Sequence, residues 1–194
     1  MNIIFALLFL INTPGDDLLN KTANRYARAD GIQWSMESVV YSPVFEETET
    51  TPVQFNFNSP DTFYFKSPNE EVLGIADTVW VLSKKHKQIQ KKLSDSYTSP
   101  IDLIVKWNSR YDLQSYRKDK DGASFNLVGH EGISPREVMI VTGKKGQLKK
   151  ISYKDSSDNN VTMNVKKERL ARSLSIDYFY NDVPKDYRLI DMTE

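Results

Sequence analysis

Hydrophobic and polar residues alternate with a period of two over much of the chain after residue 31. In residues 53–58, for example, Val53, Phe55 and Phe57 alternate with polar side chains. This spacing, interrupted by turn-forming residues, predicts a meander of antiparallel strands that each have one apolar face. The runs predicted as strands are residues 32–39, 53–58, 63–65, 71–75, 78–83, 138–142, 147–153 and 160–166.

Two segments have the spacing of helices instead. Residues 17–29 form a short amphipathic pattern, and Gly31 follows as a residue that easily adopts a left-handed stop. The second helix is predicted after Ser99-Pro100, a pair typical of a helix start. A single helix within a long run of strands must pack on the sheet or fill its open side. Its expected apolar face consists of Leu103, Ile104, Trp107 and Tyr111.

The strand pattern predicts many large apolar side chains on one face of the sheet. A sheet of this size must close, pack on a second sheet or curl around something. The simplest interpretation of any one of these residues is an ordinary core position. The functional interpretation is a cavity that the helix fills only in part, since Phe and the pliable Met suit acyl chains. The residues predicted on this face are Phe55, Phe57, Phe63, Phe65, Phe125, Met139, Val141 and Met163.

The first residues indicate export. The apolar run at residues 3–11 is too short to span a bilayer and resembles the core of a signal peptide. We therefore expect a signal peptide over residues 1–15 and a single domain over residues 16–194. A buried N-terminal strand or a misassigned start are the alternatives. The chain has no cysteine, which excludes disulfides, thiolate metal sites and a lipid-anchored cysteine.

Charge and motifs offer little chemistry. The 194 residues include 26 basic and 26 acidic side chains, which argues against nucleic acid as the main partner. His86 and His130 are far apart in sequence, and none of the common hydrolase, phosphate-binding or dinucleotide-binding motifs is present. We predict no catalytic residues, no metal and no cofactor. The basic run at residues 84–92 is interpreted as an exposed edge or hairpin, with lysines that protect an edge strand from aggregation, or alternatively as a docking surface for an acidic partner or anionic lipid.

Four segments together resemble the LolA-type outer-membrane lipoprotein carriers and related lipoprotein-sorting proteins. They comprise an aromatic strand-turn-strand, the hairpin that follows it, a helix start after Ser99-Pro100, and a closing strand with a proline turn. The likeness spans roughly residues 23–192. The segments are residues 55–65, 71–82, 99–104, and 179–184 with 187–191.

The resemblance implies a mainly β (α+β) fold: an unclosed antiparallel β-barrel, or strongly curved sheet, whose N-terminal and internal helices cover the open side. It implies a monomeric periplasmic carrier that takes acylated lipoproteins from an inner-membrane lipoprotein-releasing ABC transporter to an outer-membrane acceptor. Ser59 stands where well-studied members have an arginine, so the cargo could instead be a glycolipid. A periplasmic sensor of lipids or lipoproteins is the alternative function, and an enzyme ranks last. The residues expected to form the cavity or its lid are Phe55, Phe57, Phe63, Phe65, Trp80, Leu103, Ile104, Trp107 and Met139.

Overall fold

Twelve strands form one sheet in the computed structural model, which describes residues 13–58, 62–94, 97–170 and 185–193. Within this part of the chain the order is β12-β6-β5-β4-β3-β2-β1-β11-β10-β9-β8-β7, and the two edge strands do not meet. The predicted unclosed sheet with helices is therefore confirmed. The strands are β1 Gly31–Ser42, β2 Glu47–Asn58, β3 Thr62–Lys66, β4 Glu70–Ile75, β5 Thr78–Ser83, β6 Gln88–Leu93, β7 Tyr111–Lys118, β8 Gly122–Gly129, β9 Glu137–Gly143, β10 Leu148–Lys154, β11 Asn160–Leu170 and β12 Arg188–Asp191.

Neighbouring strands are antiparallel, except that β12 runs parallel to β6. Of the two places predicted for residues 84–92, the hairpin is the one observed, since β5 and β6 pair through this turn. The edge strand is wrong, because β12 pairs with β6 and occupies the edge among the described residues. The basic residues before β6 form a turn. The predicted turn at residues 59–61 and the predicted strand at residues 179–184 lie outside the described residues, as do residues 1–12.

Cross-strand register places the large side chains of β1, β2 and β3 on one face, called here the inner face. Trp34 of β1 lies opposite Phe55 of β2, and Phe55 lies opposite Phe65 of β3. Two residues further along β2, Phe57 lies opposite Phe63. Since side chains two residues apart share a face, these aromatic residues form one continuous apolar surface. All three helices contribute side chains to the same buried cluster.

Helix α1, Pro14–Ala27, covers part of the inner face. Thr13 caps it: its hydroxyl accepts from the Asp16 amide at 3.2 Å, and the Asp16 carboxylate accepts from the Thr13 amide at 2.6 Å. This reciprocal pair satisfies backbone donors that the first helical turn leaves open. The helix begins before the residues predicted for it, and it includes the last two residues of the predicted signal peptide. Its buried residues are Gly15, Leu19, Thr22, Ala23 and Tyr26.

The predicted internal helix is two single turns, α2 Asp102–Val105 and α3 Trp107–Arg110. Ser99 begins the segment by donating its hydroxyl to the Asp102 carboxylate at 2.6 Å. The backbone leaves the helical region at Lys106, where φ is −101° and ψ is 16°. Trp107 then enters the core and donates its indole N–H to Asn20 of α1 at 3.1 Å. No helix in the described part of the chain is both long enough and apolar enough to cross a membrane.

A second, smaller cluster lies on the opposite, outer face of β4, β5 and β6. Leu73, Leu82 and Ile89 are its buried members. Trp80 packs beside them and lies opposite Leu73 in the sheet, with the Lys91 ammonium 5.7 Å from its ring centre. The remaining partly buried members of this outer cluster are Tyr64, Ile75 and Tyr187.

Candidate functional site

A pocket of about 370 Å³ lies between α2 and the strand ends of β2 and β3. Its volume is at the low end of the roughly 300–1,000 Å³ typical of small-molecule sites. The wall is apolar on the sheet side and mixed on the helix side. The lining residues are Phe57, Phe63, Ala76, Ser94, Tyr97, Ile101, Asp102, Val105, Lys106 and Arg110.

Phe63 forms much of the pocket floor. Its ring lies over Gly74 on the neighbouring strand, where a Cβ atom would overlap the ring. Phe63 stacks on Phe55 with ring centres 6.1 Å apart and on Tyr97 with centres 5.6 Å apart. The absence of a side chain at Gly74 therefore allows this ring to lie close to the sheet and leaves space above it.

The aromatic contacts continue from the pocket to α1. Phe55 stacks on Trp34 at 5.4 Å, and Trp34 meets the ring of Tyr26 edge-on at 5.2 Å. A row of five rings thus crosses the inner face from the end of α1 to the pocket. Its α1 end is fully buried, whereas Phe63 and Tyr97 are only partly buried. The apolar surface therefore becomes accessible at one end only.

Charged residues lie on the helix side of the pocket. The Lys106 ammonium lies 2.8 Å from Oδ1 of Asp102, while Oδ2 of Asp102 accepts hydrogen bonds from Ser99. Arg110 also lines the pocket, and it has no ion pair with a carboxylate among the described residues. Among the described residues, the helix side therefore combines an acid neutralised by Lys106 with a cation, Arg110, that has no carboxylate partner.

The tyrosine at the pocket has a neutral hydroxyl over the physiological range. Burial raises the pKa of Tyr97, and the nearby charges of Glu70 and Asp102 add to the increase. Burial also raises the pKa of Glu70, which Lys92 partly opposes. Glu70 does not line the pocket, so Asp102 is the acidic residue in its wall.

The structure separates the nine predicted site residues into three groups. Phe57 and Phe63 line the pocket. Five others, Phe55, Phe65, Leu103, Ile104 and Trp107, belong to the inner-face core. Trp80 and Met139 lie on the outer face, as their cross-strand partners Leu73 and Asn126 do, so they were wrongly assigned to the cavity. Val141, also predicted on the apolar face, is likewise on the outer face.

Sequence reasoning missed the helix residues that do line the pocket. Ile101 and Val105 are four residues apart and joined by the bond from the Val105 amide to the Ile101 carbonyl at 2.9 Å. The next pair, Asp102 and Lys106, repeats the spacing with charged side chains. The sequence contains a signal for these residues: an apolar pair and a charged pair, each spaced i and i+4, so that the members of each pair share a helix face.

Glu168 of β11 fixes the other end of the aromatic row. Its carboxylate accepts from Tyr26 and Arg25 at 2.6 Å each and from the Trp34 indole at 3.1 Å. Burial by itself raises the pKa of Glu168, but these donors outweigh burial and hold the pKa below its ordinary value. The Tyr26 hydroxyl also accepts from the Leu148 amide. This network ties α1 to the sheet.

The site offers binding surface rather than a set of reactive groups. Within residues 13–58, 62–94, 97–170 and 185–193, no three His, Cys, Asp or Glu side chains are grouped so that they could hold a metal ion. The arrangement can receive an apolar chain on Phe57, Phe63, Ile101 and Val105, with polar groups at the helix side.

No protein-family model and no curated protein matches the sequence. Solved structures do match the fold. An uncharacterized conserved protein from Thermus thermophilus aligns with a TM-score of 0.58 at 10% identity, covering 92% of this chain and 99% of its own. A LolA superfamily protein from Nitrosomonas europaea aligns with a TM-score of 0.50 at 12% identity, covering 86% and 97%. A DUF1329 family protein from Desulfovibrio piger also gives 0.50 at 12% identity, covering 85% and 95%. The chain has a LolA-like fold.

Proposed function

We propose that this protein shields the acyl chains of lipoproteins from water and carries them through the periplasm from the inner to the outer membrane. The observation that carries the proposal is the pocket between the aromatic strand ends and α2. The likeness to a LolA superfamily protein supports a lipoprotein-binding role on the same fold.

The energetics of such a task favour a non-covalent pocket. Each methylene removed from water contributes about 0.8 kcal/mol, so exposed acyl chains would be strongly unfavourable in solution. An apolar wall offsets this cost while the chain is carried. Because no covalent bond forms, a better apolar acceptor can withdraw the chain again.

Most of the inner face is occupied by the protein's own side chains, so a large cargo requires an element to move. The segment best suited to move is α2 with α3. Each is a single turn, in contrast to the 14 residues of α1. Displacing them would uncover Leu103, Ile104 and Trp107 together with the aromatic residues beneath, and would enlarge the pocket along the aromatic row.

The proposed role implies a route for the protein, from export to loading and unloading. A signal peptide at residues 1–15 would direct export, and the domain at residues 16–194 would act as a monomer with no catalytic site. An inner-membrane lipoprotein-releasing transporter would load it, and an outer-membrane acceptor would unload it. With Ser59 in place of the arginine of well-studied carriers, cargo release would rely on other residues.

Binding of a neutral fluorescent alkyl probe, N-phenylnaphthylamine, tests the proposal in solution. We expect saturable binding that Phe63→Asp weakens at least about tenfold by placing a charge on the pocket floor. Leu189→Asp, on the exposed edge strand β12, is the matched control and should bind normally. A folded protein that does not bind the probe would contradict the proposal.

Depletion in cells tests the transport step. Loss of the protein should leave its lipoproteins in the inner membrane, as measured by membrane fractionation. An unchanged distribution, with only a stress response altered, would favour the sensor over the carrier.

A further inference from the structure

We propose that the pocket selects amphiphiles whose single alkyl chain ends in an anionic group, a carboxylate or a phosphate. This inference goes beyond the proposed function: it assigns free single-chain anions to the same pocket as ligands, whereas the acyl chains of a lipoprotein are attached through neutral ester and amide groups.

The size and shape of the pocket favour a single alkyl chain. At about 370 Å³ it suits one alkyl chain better than several. The apolar wall has two sides, with Phe57 and Phe63 on the sheet and Ile101 and Val105 on the helix. A chain between them would contact apolar groups on both sides, which is the arrangement that removes most of its surface from water.

The charged residues beside the apolar wall favour an anionic head group. Among the described residues that line the pocket, Asp102 is the single acidic one, and its carboxylate is engaged by Lys106 at 2.8 Å and by the Ser99 hydroxyl at 2.6 Å. Arg110 lies in the same wall and is half-buried. Asp102, Lys106 and Arg110, the charged residues among the described lining residues, together carry one net positive charge. An anionic head group would neutralise this net charge, whereas a cationic head group would be repelled.

The chemistry of arginine strengthens the assignment. A guanidinium stays charged at all physiological pH values and presents paired donors that match both carboxylate and phosphate oxygens. A hydrogen bond to a charged group is stronger than one between neutral groups, and partial burial limits screening by water. Tyr97, which is neutral, lines the same pocket without adding charge.

Competition against N-phenylnaphthylamine on the full chain tests the inference. The competitors share one chain length and differ only in the head group: palmitate, hexadecyl phosphate, hexadecanol and hexadecyltrimethylammonium, each below its micelle concentration. We expect the two anions to bind about tenfold more tightly than the alcohol, and the cation to bind most weakly. The ratio of palmitate to hexadecyl phosphate distinguishes a fatty acid from a single-chain phosphate lipid, and either order supports the shared anionic chemistry.

Variants locate the selectivity. Arg110→Gln should remove most of the preference for anions over hexadecanol, and a circular dichroism spectrum like that of the wild type shows that the variant is folded. Arg117→Gln, on the exposed part of β7 and outside the pocket, is the matched control and should keep the preference.

The outcomes separate this inference from the proposed function. Equal affinity for all four head groups, with the probe displaced, would overturn the inference and leave the acyl carrier standing. An anion preference that persists in Arg110→Gln would also overturn it. Failure of the probe and of every competitor to bind the folded protein would overturn both.

Discussion

The half of the inner face beneath α1 and the half beside α2 are built from the same kinds of side chain, but only one of them is filled. Beneath α1, Trp34 and Phe55 are fully buried, as is Tyr26 of α1 itself. Beside α2, Phe63 is only partly buried and lines a pocket. The stacked rings are continuous across the two halves. What differs is the element that covers them.

The two covering elements differ in length and in how they are attached. Helix α1 has 14 residues, a capping box and a hydrogen-bonded connection to Glu168 of the sheet. Helix α2 has four residues, and its polar contacts are local ones with Ser99 and Lys106. A single turn has little stability of its own, so it depends on its packing. The comparison indicates a permanent cover at one end of the sheet and a movable one at the other.

The largest expected contrast comes from truncating a ring in each half. Trp34→Ala should lower the free energy of unfolding by about 3–5 kcal/mol, because it leaves a cavity in a filled region. Phe63→Ala should lower it by only about 1–2 kcal/mol, since the pocket already leaves one side of that ring open. Urea denaturation measures both. Equal losses would mean that the two halves do not differ in packing.

The attachment of α1 should depend on pH through Glu168. Its pKa lies below the ordinary value of 4.5 in the folded protein, so its stabilising contribution is complete above pH 4.5 and is lost as the pH falls through the folded pKa. Glu168→Gln should lower the free energy of unfolding at neutral pH by about 1–3 kcal/mol and flatten the decline in acid. Glu131→Gln, at an exposed position, is the control and should change neither. A decline in acid that persists in Glu168→Gln would show that other groups cause it.

Hydrogen exchange should separate the two covers directly. The amides of Val105 and Lys106 bond within α2, to Ile101 and Asp102. We expect them to exchange at least about tenfold faster than the core amides of α1, because a single turn has little helical stability of its own and frays more readily than a 14-residue helix. Equal protection in the two helices would contradict a movable α2.

The smallest expected effect lies at the rim of the pocket. Ala76, in the turn between β4 and β5, has a φ of 53°, in the left-handed region that disfavours side chains. Ala76→Gly should raise the free energy of unfolding by about 0.5 kcal/mol, since relief of strain slightly exceeds the added freedom of the unfolded chain. Thermal denaturation measures this change. A decrease in stability would show that the turn is not strained.

The sequence predicted the type of fold well because the alternation of β2 and β3 is unambiguous. In residues 53–58 every large apolar side chain falls at the same parity, so one face is determined. In β5 and β9 both parities are apolar: Trp80 lies between Val79 and Val81, and Met139 between Val138 and Ile140. Only the register with neighbouring strands assigns such residues to a face, and that information is not local.

The pocket itself was predicted only in part, for a related reason. Phe57 and Phe63 were identified from strand alternation. On the helix, Leu103 and Ile104 were predicted as part of one apolar face, and these pack into the core. The pocket is lined instead by Ile101 and Val105. Since Ile101 is as buried as Leu103, neither apolarity nor burial distinguishes the residues that border the pocket, and only the packing of the segment on the sheet does.

Photo-crosslinking with an alkyl diazirine fatty acid, followed by mapping of the labelled peptides, tests the central claim most directly. The account predicts labels at the strand ends around Phe57 and Phe63 and in the segment from Ile101 to Val105, with loss of labelling when excess palmitate competes. Labels concentrated instead on the outer-face cluster of Leu73, Leu82 and Ile89, or labelling that palmitate does not reduce, would contradict it.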